Sequence, residues 1–220
     1  MASFPFDILA FDLDGTLADT APDIAAALNL MLGDLGRPAL DPETIRGLIG
    51  DGARNLVRKA LAAGGEAPDA LVDRGFPAYL DHYRANVCVG TALYPGVEQA
   101  MDDLAALGAR LAICTNKPED MARRLVAALG WTGRFAAIVG ADTLPFRKPD
   151  PRPLREAIAR AGGGRAAFVG DSIVDAETAR AADIPFVAVG FGFRDRPVEQ
   201  LGADAVIDRY DDLIPALLGL

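Results

Sequence analysis

The 220 residues predict an α/β fold: a Rossmann-like parallel sheet core with an inserted all-helical cap domain. Short, wholly apolar runs recur along the chain with helical patterns between them, as buried parallel strands and their crossover helices require. One long segment after the first run breaks that rhythm and reads as helical throughout. Polar residues capable of chemistry follow the apolar runs directly, where ligands bind in such sheets.

The strand candidates, in order, are Ile8 to Phe11, Arg110 to Cys114, Ala136 to Val139, Ala166 to Val169 and Phe186 to Val189, with a weaker one at Ala205 to Ile207. Each is a run of three to five mostly apolar residues, too short for a buried helix. Amphipathic helical patterns lie near 97–107, 118–129, 151–161 and 174–182. The glycines 162–164 read as a helix stop.

Between Thr20 and Val87 the pattern has the helical period alone. Thr20 with Asp23 fits a capping box, and Pro22 suits a first turn. Ile24, Ala27, Leu28, Met31, Leu32 and Leu35 then recur at helical spacing until Gly36. Asp41-Pro42-Glu43 starts a second helix. A third covers 52–62 with Leu56, Val57 and Leu61 inward, and a fourth 68–86 with Leu71, Phe76, Leu80 and Tyr83 inward. The expected division is therefore an α/β core of residues 1–17 and 89–220 and a helical cap of 18–88. An insert leaving the carboxyl end of the first strand sits over the crevice as a lid.

Bulk properties narrow the function classes. Hydrophobic residues make up 51% and charged residues 24%, which are ordinary globular values. A net charge of −9 argues against a general nucleic-acid binder, which needs a basic surface. No apolar run approaches the roughly 20 residues of a membrane span. The N-terminal stretch lacks a basic region and a cleavage motif, so the expected location is the cytoplasm. Cys88 and Cys114 form no CxxC arrangement, and both are expected to be small buried thiols.

Four motifs carry chemistry. Asp12-Leu13-Asp14-Gly15-Thr16-Leu17 follows the first strand. Asp12 and Asp14 are two apart, so extended backbone puts both carboxylates on one side. Gly15 lets the chain turn and presents N–H groups to an anion. This arrangement permits Asp12 to attack phosphorus and Asp14 to act as acid and then base, with a metal ion shielding like charges. A capped polar turn is the structural alternative. Thr115-Asn116-Lys117-Pro118 follows the next strand and offers a hydroxyl and an amide to a phosphoryl oxygen, although Thr before Asn and Pro is also a common helix start. Lys148, fixed by Pro149, suits binding of phosphoryl charge and pairing with Asp12; a solvated lysine before a turn has the same sequence. Gly170-Asp171-Ser172-Ile173-Val174-Asp175 ends another strand. Asp171 there can ligate Mg2+ with Asp175 behind it, or both acids can serve a helix N-terminus. The single histidine, His82, lies in the helical segment, and no GxSxG is present, which disfavours a serine hydrolase.

These four motifs together resemble those of the haloacid dehalogenase superfamily, over nearly the whole chain. The resemblance implies Asp12 as nucleophile and Asp14 as general acid/base. It implies Asp12, the backbone carbonyl of Asp14 and Asp171 as contacts to Mg2+, with Asp175 in support. Gly15, Thr16, Thr115, Asn116 and Lys148 are then the phosphate-binding residues. Within the superfamily the stretches FDLDGTLADTAPDIAAALN, IGDGARNLV, LYPGV, CTNKP and FVGDSIVDAETARAA are similar to bacterial phosphoglycolate phosphatases. The dehalogenases of the superfamily lack the acid corresponding to Asp14, and its sugar-phosphate mutases usually carry Val where this chain has Thr16.

The resulting expectation is an Mg2+-dependent phosphate monoesterase working through an aspartyl phosphate, with 2-phosphoglycolate as substrate. Another small sugar phosphate or pyrophosphate is the alternative substrate. A phosphometabolite-binding protein without turnover is the alternative from another class, disfavoured by the leaving-group acid Asp14. Substrate choice is expected around Gly50-Asp51-Gly52 and Arg54, although an exposed helical cation accounts equally for Arg54. The expected partner is a small phosphorylated metabolite, with no nucleic acid and no membrane, for a monomer or homodimer.

Overall fold

A computed structural model describes residues 4–193 and 196–220. The chain enters with strand β1 (Ile8–Phe11), followed by a two-residue strand β2 (Ala18–Asp19). Helices α1 (Ala21–Asp34), α2 (Pro42–Arg46), α3 (Ala53–Ala63) and α4 (Asp69–Ala85) come next. The short β3 (Ala92–Leu93) then pairs antiparallel with β2. From there helices and strands alternate: α5 (Val97–Ala106), β4 (Arg110–Cys114), α6 (Glu119–Ala128), β5 (Phe135–Val139), α7 (Arg152–Arg160), β6 (Ala166–Gly170), α8 (Ile173–Ala182), β7 (Phe186–Val189), β8 (Ala205–Ile207) and α9 (Leu213–Leu218).

The main sheet is parallel, in the order β5-β4-β1-β6-β7-β8. After β1 the chain fills one flank with β4 and β5, then crosses to the other flank with β6, β7 and β8. The connections thus diverge around β1, which opens a crevice at the carboxyl ends of β1, β4 and β6. Alternation along each strand divides the core between two faces. Leu9, Phe11, Leu111, Ile113, Val169 and Val187 meet α5, α6 and α9 on one side. Ile8, Ala10, Ala112, Cys114, Phe168 and Ala188 meet α7 and α8 on the other. Of the two thiols, the structure buries Cys114 and leaves Cys88 half-buried.

A third apolar cluster holds the helical insert together. It joins Ile24, Leu28 and Met31 of α1, Leu56, Val57 and Leu61 of α3, and Val72, Tyr79 and Tyr83 of α4. Met121 of α6 belongs to the same cluster, so the insert packs directly on the rim of the sheet.

The structure corrects two local expectations and adds a short strand pair. Thr20 and Asp23 form no capping box: Thr20 makes no side-chain cap bond, and its hydroxyl donates to Asp14 Oδ1 at 2.7 Å. Asp23 instead accepts from the backbone N–H groups of Val89, Gly90 and Thr91 and from the Thr91 hydroxyl. The capping box forms at Ser172 and Asp175. On α4 the fully buried residues are Val72, Gly75, Tyr79 and Tyr83, while Leu71, Phe76 and Leu80 lie half-buried beside them. Adjacent stripes of a broad apolar face are both hydrophobic, and the neighbouring helices decide which is innermost. The β2–β3 pair, two residues a side, is too short to leave a pattern in sequence.

Candidate active site

Asp12 is the first residue beyond β1, at the centre of the crevice. Its Oδ1 accepts from the Leu13 N–H at 2.7 Å, and Lys148 Nζ lies 3.1 Å from its Oδ2. Burial pushes the Asp12 carboxyl up to about 6, against the opposing pull of Lys148 and of the Thr115 hydroxyl. Lys148 is itself almost wholly enclosed and also binds Asp175 Oδ1 at 2.6 Å. Its two carboxylate neighbours outweigh the cost of burial and hold the amine well above its ordinary value. Asp175 Oδ2 in turn accepts from the Ser172 hydroxyl and from the N–H groups of Asp171 and Ser172. Asp175 therefore fixes the loop after β6 and the lysine together.

Asp171 points at Asp12 from the neighbouring strand. The Thr16 hydroxyl donates to its Oδ1 at 2.8 Å, and the Phe193 N–H to its Oδ2 at 2.6 Å. Burial, then the charges of Asp175 and Asp12, push this carboxyl well above the usual range. Two glycines allow the close approach. Gly15 has φ +82°, and a Cβ there would collide with Asp171. A Cβ on Gly192 would fall on the Asp171 side chain and the Gly15 carbonyl.

Asp14 faces the insert. It takes the Thr20 hydroxyl and the Lys117 ammonium, whose Nζ lies 2.7 and 3.0 Å from the two carboxylate oxygens. Lys117 Nζ also donates to Tyr83 Oη at 2.6 Å, joining the core to α4. Sequence reading assigned Lys117 no role. It lies inside the Thr115-Asn116-Lys117-Pro118 motif, but the bend there gives no periodicity that would have shown which way its side chain points. Tyr83 and Phe193 offered no comparable signal, because only folding brings them to the crevice.

Residues of the first, second and fourth motifs converge on one cleft between sheet and insert. Asp12, Asp14, Thr115, Asn116, Lys117 and Asp171 line it from the sheet, and Ile49, Gly50, Gly52, Leu56 and Tyr83 from the insert. Lys148 sits just behind Asp12, and the Thr16 hydroxyl is turned onto Asp171 rather than into the cleft. Asn116 donates to the Lys148 carbonyl at 3.1 Å and ties those two loops together; its Oδ1 is buried with no protein partner. Arg54 does not line the cleft: it pairs with Asp73 and stacks over Phe76. His82 pairs with Asp34, away from the cleft.

The carboxylates fit a divalent cation. Asp12, Asp171 and Asp175 each offer an oxygen within 4.8 Å of the others, a hard oxygen set of the kind such ions take. Burial and the charges of Asp175 and Asp14 raise Asp12, and burial and the charges of Asp175 and Asp12 raise Asp171, a cost of ionisation that Lys148 offsets only in part at Asp12 and that a bound cation would relieve. Asp175 is occupied by Lys148 and the Ser172 turn, which leaves Asp12 and Asp171 as the freer donors.

A family model described as haloacid dehalogenase-like hydrolase matches residues 6–183, which include every one of these side chains except Phe193. This chain belongs to that family. A phosphoglycolate phosphatase of Mesorhizobium japonicum is 47% identical over 209 residues, spanning 94% of this chain and 92% of the relative. One from Caulobacter vibrioides is 42% identical, spanning 96% of this chain and 91% of the relative. Among solved structures, one described as a predicted phosphoglycolate phosphatase from Haemophilus somnus 129pt superposes with a TM-score of 0.89 at 29% identity, over 96% of this chain and 97% of that one. Family phosphatases generally use a divalent metal, and the acidic triad is the feature here that suits one. Among the described residues no helix is long and apolar enough to cross a membrane.

Proposed function

We propose that this enzyme is a Mg2+-dependent phosphoglycolate phosphatase, with Asp12 as the nucleophile and residues 18–88 as a cap over the cleft. The observation that carries the reading is the placement of two differently held carboxylates, Asp12 and Asp14, on one side of a single strand exit. Asp12 is turned to Lys148 and the acidic cluster, Asp14 to Thr20 and Lys117. Such divergence separates a nucleophile from a proton-transfer group.

In the first step Asp12 attacks phosphorus. The bond to the ester oxygen breaks, and Asp14 gives that oxygen its proton, releasing the alcohol. In the second step Asp14 takes a proton from water, which displaces phosphate from the aspartyl group. Lys148 offsets negative charge beside Asp12, and the Thr115 hydroxyl and Asn116 stand at the same wall. Gly15 lets the backbone pass close to Asp171, and the Thr16 hydroxyl orients that carboxylate. Asp12, Asp171 and the carbonyl of Asp14 would hold Mg2+, with Asp175 in support. When bound, the ion neutralises charge between the nucleophile and the phosphoryl oxygens. Magnesium is favoured over softer metals because the donors are all oxygen.

The substrate rests on the two relatives named above, which share over 40% identity across nearly their whole length. The test is phosphate release from a panel of small phosphate esters and pyrophosphate, with and without Mg2+. A metal-dependent preference for 2-phosphoglycolate is expected. Preference for another ester would retain the Asp12 chemistry and overturn the substrate. Retained turnover in Asp12→Asn would overturn the nucleophile.

A further inference from the structure

The substrate just proposed has two anionic ends, and the residues around Asp12 account for one. In 2-phosphoglycolate the carboxylate is joined through one methylene to the ester oxygen. The group that protonates that oxygen must lie within hydrogen-bond reach of it, so the carboxylate comes to rest beside the same group. At Asp14 this would set carboxylate against carboxylate unless a cation stood there.

Such a cation is present. Among the described residues lining the cleft, the one basic side chain is Lys117. It is 6% exposed, it spans Asp14 and Tyr83, and its ammonium lies 4.4 Å from the Tyr83 ring centroid. An ammonium has three protons. One shared between the two Asp14 oxygens and one on Tyr83 leave a third for an incoming anion. The Tyr83 hydroxyl accepts from Lys117 and keeps its own proton to donate. Apart from Tyr79, the rest of the insert's wall is apolar or glycine: Ile24, Ile49, Gly50, Gly52, Ala53, Leu56 and Leu80. Arg54, the cation that sequence alone offered for this task, is spent on Asp73 outside the cleft.

We propose that Lys117, with the Tyr83 hydroxyl, receives the carboxylate of the substrate and thereby selects a phosphate ester bearing a second anion one methylene from the ester oxygen. The proposal rests on the phosphoglycolate phosphatase reading. It makes Lys117 a specificity-determining residue supplied by the core, completed by Tyr83 from the insert.

The experiment compares kcat/KM for 2-phosphoglycolate with that for 2-hydroxyethyl phosphate, which has the same chain length and no carboxylate. The enzymes are the wild type, Lys117→Met, Tyr83→Phe and, as a control, Arg147→Ala, an exposed cation near Gly52 that does not line the cleft. Lys117→Met is expected to lower the preference for 2-phosphoglycolate on the order of 10–100-fold, the usual worth of a hydrogen bond to a charged group, mainly through KM. Tyr83→Phe is expected to lower it by about 3–10-fold. Arg147→Ala should leave it within about twofold. An unchanged ratio in Lys117→Met, both substrates slowing alike, would mean that Lys117 only orients Asp14, and the proposal falls. A ratio that follows Arg147 instead also overturns it. If Lys117→Met does not fold, Tyr83→Phe decides: an unchanged ratio there overturns the proposal. A wild type that fails to cleave 2-phosphoglycolate counts against the functional reading itself, and shows before any variant is made.

Discussion

At Asp12 the protein holds a carboxylate where its charge is costly. Burial raises its ordinary value of 3.8 to about 6, and Lys148 offsets this only in part. The sign of the resulting pH dependence follows. Below about pH 4 the group is protonated whether folded or unfolded, and contributes nothing. Between about pH 4 and 6 the unfolded chain gives up a proton that the fold still holds, so the metal-free protein loses stability through that range and stays at the lower level above it. Asp12→Asn is therefore expected to abolish turnover and yet stabilise the metal-free protein at pH 7.5 by about 1–3 kcal/mol, with no gain at pH 4. Urea titrations at the two pH values check this; equal effects at both would sink it. Lys148→Met has the opposite expectation. It would leave Asp12 and the fully buried Asp175 without their shared cation. A loss of about 3–5 kcal/mol should appear in the same titrations at pH 7.5.

The return from insert to sheet hangs on Asp23 of α1. Its carboxylate, 4% exposed, accepts three backbone N–H groups and one hydroxyl from residues 89–91. Those donors precede β3, which closes on β2 at the junction. Asp23→Ala strands three N–H groups and should cost about 2–4 kcal/mol in urea unfolding. Asp23→Asn keeps one acceptor oxygen and should cost less. Equal costs would mean that the carboxylate fills space rather than clamping the junction. At this scale the sequence misled in a specific way. Thr and Asp three apart before an apolar run satisfy the capping-box pattern, but Asp14 claims the Thr20 hydroxyl and the returning segment claims Asp23. Both competitors are distant in sequence or outside the helix, so no local rule counts them.

Across the whole molecule, the sheet topology gathers four loops into one negatively charged crevice beneath the insert. Divalent metal binding there would displace protons from Asp12 and Asp171, both raised by burial and by neighbouring carboxylates. Saturating Mg2+ is therefore expected to raise Tm at pH 8 by several degrees, and by markedly less at pH 5.5, where protons compete with the ion. Thermal melts with and without Mg2+ at both values measure it. Asp171→Ala should remove the stabilisation and raise the Mg2+ needed for turnover steeply. A pH-independent shift that survives this substitution would place the metal elsewhere.

Strand and helix order, the helical insert and the four motifs were legible in sequence because each depends on local period or on a strand's end. Apolar runs such as Ile8 to Phe11 announce buried strands whatever surrounds them, and a residue just past such a run must emerge at the sheet's edge. What only the tertiary structure decided is who meets whom. Lys117 and Tyr83 are 34 residues apart and joined through one ammonium. Thr16 is committed to Asp171 across 155 residues. Arg54 is drawn to Asp73 and away from the cleft. Periodicity assigns each residue to a face. Which charges share a face across the fold depends on the crossing of elements far apart in the chain, and that is settled by packing.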